Sequence, residues 1–78
     1  MNKDILLQKL IESEIPYWYY NLNGKPFPDA YVLDGLITYY CDERGVHRER
    51  IIHNSVENAY EYLFKRLLQI KNNEMRYR

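Results

Sequence analysis

Cys41, His47 and His53 are the side chains of this sequence best suited to covalent or metal chemistry, and they stand close together in the chain. A lone thiol beside Asp42, with an imidazole six residues on, suggests a nucleophile. Such a nucleophile also needs an orienting base and a pocket. The Cys and His spacings match no zinc pattern, and no second cysteine is present to complete one. A cysteine closing a strand serves more often as a small apolar filler, and the two histidines fit an exposed strand. The carboxylate pair Asp42-Glu43 falls in a turn, where acidic residues favour the backbone geometry. Gly24, Gly35 and Gly45 each sit in a turn, so no glycine-rich phosphate loop exists. The expectation is a protein that is not an enzyme and takes no cofactor or metal.

Recognition is the better use of this composition. The chain has nine tyrosines, two phenylalanines and one tryptophan among 78 residues, and aromatics make up 15%. Tyr and Trp, with Arg, are enriched at interface hot spots because they offer contact area at low entropic cost. Consecutive rings at positions 17–20 cannot all face inward. The expected partner-binding residues are Tyr17, Trp18, Tyr39, Tyr40, Asp42, Glu43, Arg44 and Glu49.

Net charge is zero but uneven. Residues 1–43 carry three basic and seven acidic side chains, and residues 44–78 carry eight and four. A DNA-binding domain is usually basic overall, so nucleic acid is an unfavoured partner. The runner-up reading is a small nucleic-acid-binding or regulatory module that uses Arg44, Arg48 and Arg50 near Tyr39 and Tyr40 on adjacent strands, with Arg76 and Arg78 at the end of the tail. One cysteine permits no internal disulfide, which points to a reducing cytoplasm. The opening MNKDILLQKLIESE is interrupted by Gln8 and Lys9 and reads as neither a signal peptide nor a membrane span. A monomer is expected.

A single domain, residues 1–78, must position these groups. The pattern predicts a helix over 1–15, capped by Asn2 and presenting Leu6, Leu7, Leu10 and Ile11, and stopped by Pro16. An aromatic loop spans 16–29. Residues 30–53 read as three antiparallel strands: Ala30–Leu33 and Leu36–Cys41 joined by an Asp34-Gly35 turn with both residues at positive φ, then a charged edge strand from Val46 to His53. Asn54 and Glu57 open a second helix over 54–72. Its apolar stripe is Val56, Ala59, Tyr60, Leu63, Phe64, Leu67 and Leu68, and 73–78 form a tail. The fold class is α+β, with both helices packed on one face of a three-stranded antiparallel sheet.

Several short motifs sharpen the functional expectation. Ile15-Pro16, Tyr20-Asn21-Leu22-Asn23-Gly24, Pro28-Asp29-Ala30-Tyr31-Val32-Leu33, Tyr39-Tyr40-Cys41-Asp42-Glu43-Arg44-Gly45 and Asn54-Ser55 to Glu61-Tyr62-Leu63 are spread over residues 5 to 68. In these the chain resembles small bacterial immunity proteins of polymorphic toxin systems, the immunity protein 59 group in particular. Its tyrosine-pair turn is one residue longer, at Cys41-Asp42, and its Asp34-Gly35 hairpin tighter than that group's pattern. The resemblance implies a cytosolic non-enzyme that binds and blocks a cognate toxin domain. A phage-encoded inhibitor of a host defence enzyme would use the same physics.

Overall fold

The computed structural model describes residues 1–76, with side chains through residue 73. Helix α1 runs Lys3–Glu12. Asn2 Oδ1 accepts the Ile5 amide at 2.8 Å, satisfying one of the donors that a helix start leaves free. The helix ends two residues before Glu14 rather than at Ile15. Glu14 turns left-handed at φ +57°, and the amides of Glu14 and Ile15 return to the carbonyls of Ile11 and Leu10. That is a Schellman closure with glutamate where glycine is usual. Leu10 and Ile15, which the closure brings together, are both buried.

The sheet has four strands in the order β1-β2-β3-β4, not three. β1 is Tyr20–Asn21, β2 Ala30–Asp34, β3 Ile37–Cys41 and β4 His47–Ile52. β1 lies parallel to β2, with Tyr20 beside Tyr31 and Asn21 beside Val32, so the sheet is mixed. Part of the expected aromatic loop is therefore ladder. Residues 22–29 must return the chain to the start of β2. At Gly24 (φ +73°) an added Cβ would sit 3.0 Å from Asp34 Oδ1, so a side chain there would be strained by its backbone and crowd Asp34.

The β2–β3 hairpin forms one position later than expected. Asp34 pairs with Ile37, leaving Gly35 and Leu36 as the turn. Only Gly35 has positive φ, at +61°. A two-residue hairpin with glycine at its first central position accounts for that placement.

β4 pairs antiparallel with β3, but Thr38–Ile51 and Tyr40–Arg48 leave Glu49 and Arg50 both opposite Tyr39. The extra residue is a β-bulge, and Glu49 takes the left-handed conformation at φ +56°.

Helix α2 is Val56–Arg76. Ser55, rather than Asn54, supplies the cap, its Oγ accepting the Asn58 amide at 3.1 Å. The helix runs through 73–76, expected as tail; Tyr77 and Arg78 lie outside the described residues. Alternation along β2 sends Tyr31 and Leu33 to one face. There they join Leu6 and Leu10 of α1, Ala59, Leu63 and Leu67 of α2, and Ile15 and Tyr20 in one core. Leu7 and Ile11, expected in that face, are exposed instead. The opposite face holds a smaller cluster of Val32, Tyr39 and Cys41.

Candidate partner-binding surface

The strand register gathers distant segments at one end of the sheet. β1 and β2 begin there, β3 ends there and β4 begins there, since Tyr20 pairs with Tyr31, Ala30 with Cys41, and Cys41 with His47. Residues just before Tyr20, just before Ala30 and just after Cys41 therefore line one end. Four strands spaced about 4.8 Å apart span roughly 15 Å.

The aromatic part is a 3₁₀ turn, Tyr17–Tyr19. Pro16 opens it, and its carbonyl accepts the Tyr19 amide at 3.0 Å. Tyr17 is 78% exposed and Trp18 56%. Their rings meet edge to face with centroids 5.1 Å apart, and Trp18 meets Tyr19 the same way at 6.4 Å. Tyr19 packs part-buried against the core and Tyr20 lies inside it. Two rings of the four thus face solvent, held by their neighbours in the preferred T-shaped geometry.

The polar part is a depression of about 330 Å³ lined by Asp29, Tyr40, Asp42, Glu43, Arg44 and Arg48. Asp42 shapes it. Its Oδ1 accepts the amides of Arg44 and Val46, both at 2.9 Å, and its Oδ2 takes Arg48 Nε at 2.8 Å. The Arg48 bond, then the Val46 amide, holds the Asp42 carboxyl below its ordinary range. Tyr40 donates its hydroxyl to Asp29 Oδ1 at 3.0 Å. Burial first, then that carboxylate, pushes the Tyr40 phenol up to about 12. Glu43 and Arg44 are exposed on the turn.

Tyr39 and Glu49, both expected as contact residues, do not join this surface. Tyr39 pairs with Val32 and points to the opposite face, where it is 7% exposed and its ring stacks on His47 at 4.2 Å. It offers a partner no contact area. Glu49 belongs to a second network: its Oε2 accepts the Tyr31 hydroxyl at 2.7 Å and its Oε1 pairs with Arg66 Nη2 at 3.1 Å. Arg66 Nε also donates to the Tyr31 hydroxyl at 3.0 Å. Burial and the Glu49 bond raise the Tyr31 pKa.

In the sequence, Asp29 and Arg66 have no place among the expected contacts, and Arg48 has a place only in the nucleic-acid reading. Asp29 carries a local sign, a turn-forming residue straight after Pro28 and just before a strand, and it takes a left-handed φ of +60°. Arg66 carries none, because its neighbours come from β2 and β4.

Cys41 is buried, and its thiol points at its neighbour's carbonyl, Asp42 O, at 3.8 Å. His47 is stacked on Tyr39, while His53 Nε2 lies 2.8 Å from the buried Thr38 hydroxyl. Each group is thus engaged separately. Among the described residues no three His, Cys, Asp or Glu side chains stand close enough to hold a metal ion, and no helix is long and apolar enough to cross a membrane. Compared with known protein families, curated proteins and solved structures, the chain matches none.

Proposed function

We propose that this protein is a cytosolic toxin inhibitor, an immunity protein that binds a cognate bacterial toxin domain and occludes its active site. The observation that carries the reading is the placement of Tyr17 and Trp18, both open to solvent, at the same end of the sheet as the charged turn Asp42–Val46. Large rings on a rigid turn beside charged groups have the composition of an interface hot spot with a polar rim. A nuclease domain is the target that best suits Glu43, whose carboxylate stands in for a substrate phosphate against a basic cleft. Asp42, consumed by Arg48 and two amides, holds the turn instead. Arg44 and Glu43 steer association more than they add affinity.

The test is co-expression with the toxin encoded beside this gene. Growth is restored by the wild-type protein, and is lost with Tyr17→Ala/Trp18→Ala at unchanged far-UV dichroism. No rescue and no co-purifying toxin removes the proposal. The nucleic-acid reading has less support, because Arg48 is already neutralised by Asp42; a salt-titrated gel shift tests it.

A further inference from the structure

The two edges of the sheet are built differently. β4 carries Arg48, Glu49 and Arg50 and a left-handed bulge, the devices by which native sheets discourage strand addition. β1 has no charge and no bulge: Tyr20 and Asn21 are neutral, as are Leu22 and Asn23 that follow it. Only its length limits it. Asn21 Oδ1 accepts the amides of Asn23 and Lys25, at 2.8 and 3.1 Å, and ends the strand in a turn.

Beside β1 lies an open cleft of about 400 Å³, between Lys3, Asp4 and Leu7 of α1 and residues 20–23. Leu7, Tyr20 and Leu22 give it apolar walls, and Leu7 is 40% exposed although α1 buries Leu6 and Leu10 completely. Lys3 Nζ donates across from α1 to Asn23 Oδ1 at 2.7 Å.

We propose that the β1 edge and this cleft form a strand-addition site for an extended segment of a partner protein, which seats an aliphatic side chain against Leu7, Tyr20 and Leu22. In such recognition the main chain supplies affinity, and a pocket taking alternate side chains supplies specificity. With a ladder as short as β1, the pocket contact dominates. The Lys3 ammonium is held by a neutral amide, so a carboxylate two residues from the aliphatic one, on the same side of an extended segment, is its complementary partner. Asp4 is already placed favourably in the first turn of α1. Trp18 and Tyr17 lie two and three residues before β1, so the segment continues toward the rings already assigned to partner contact. The inference rests on that partner-binding reading and names a second part of the same surface.

The probe is the blocked peptide Ac-Thr-Val-Thr-Leu-Thr-Glu-Thr-amide, titrated into ¹⁵N-labelled full-length protein. Saturable shifts are expected at residues 20–23 and at Leu7, with slowed amide exchange at residues 20–22, the Asn23 amide being bonded already to Asn21 Oδ1. Replacing the peptide leucine by serine, or Leu7→Glu in the protein, weakens binding about tenfold or more. Lys3→Glu, remote from the core, weakens this peptide but not its glutamine counterpart, which keeps the test decisive if Leu7→Glu fails to fold. Shifts centred on His47–Ile52, equal binding of the leucine and serine peptides, or no saturation overturn the proposal. Peptide binding without growth rescue by co-expression keeps the site and removes the toxin reading; growth rescue without peptide binding does the reverse.

Discussion

Replacing Glu49 by glycine and, separately, by alanine measures the strain in the β4 bulge. Both substitutions delete the carboxylate that accepts the Tyr31 hydroxyl and pairs with Arg66. Arg66 and Glu49 are both about a third exposed, so solvent screens the ion pair, and the shared loss is roughly 1–2 kcal/mol. The two variants differ only in a Cβ held at φ +56°. A left-handed backbone costs an L-residue about 1–2 kcal/mol, whereas glycine in an ordinary strand is about 0.5–1 kcal/mol worse than alanine. Combined, these make Glu49→Gly more stable than Glu49→Ala by roughly 0.5–1 kcal/mol. For a domain of this size that is a gap of several degrees in Tm, at about 4–8 °C per kcal/mol. The assay is urea and thermal unfolding of both variants, with Arg50→Gly and Arg50→Ala as the reference pair. Arg50 lacks positive φ, so there alanine is the more stable. Alanine ahead of glycine at both positions would refute the strained bulge.

Three further outcomes follow from the same structure. Glu14→Gly, at the left-handed closure of α1, stabilises the protein by about 0.5–1 kcal/mol in urea unfolding, because the exposed Glu14 carboxylate lies 3.9 Å from Lys71 and contributes little; a destabilised variant refutes the closure. Burial holds the His53 imidazole below its ordinary 6.5, so the unfolded chain takes up that proton first. The associated stability is present above about pH 6.5 and is lost as the pH falls through the folded value, a slope that His53→Gln abolishes in thermal melts. For Tyr40, with its phenol pushed from 10.0 up to about 12, the sign is opposite. Its contribution is complete below pH 10 and is lost as the pH rises through about 12. Tyr40→Phe flattens that alkaline loss, which tyrosinate absorbance follows.

Much of the fold is readable from local pattern. Asn2 as a cap, the buried Ala59-Leu63-Leu67 stripe of α2, and β2 and β3 on either side of Gly35 all follow from periodicity and turn chemistry within a few residues. The errors are where a single local signal had two acceptable solutions. Asn54 and Ser55 are both good caps, and the Asp34-Gly35 pair allows two hairpin registers. The exposure of Leu7 and Ile11 was not legible, because a helix start and stop reveal nothing of how the helix is rotated on the sheet.

By itself, then, the sequence determined an α+β domain with two helices, and turns at each glycine. It also required that four adjacent rings at 17–20 could not all be buried. Tertiary structure alone decided the rest: that Tyr20–Asn21 adds a parallel fourth strand, that Tyr39 turns inward while Tyr17 and Trp18 stay outside, and that Asp29 meets Tyr40 and Glu49 meets Arg66. Each of these depends on a pairing between segments that only the fold brings together. Its free energy depends on register and on which face of the pleat a residue occupies, and one slipped position reverses every side chain.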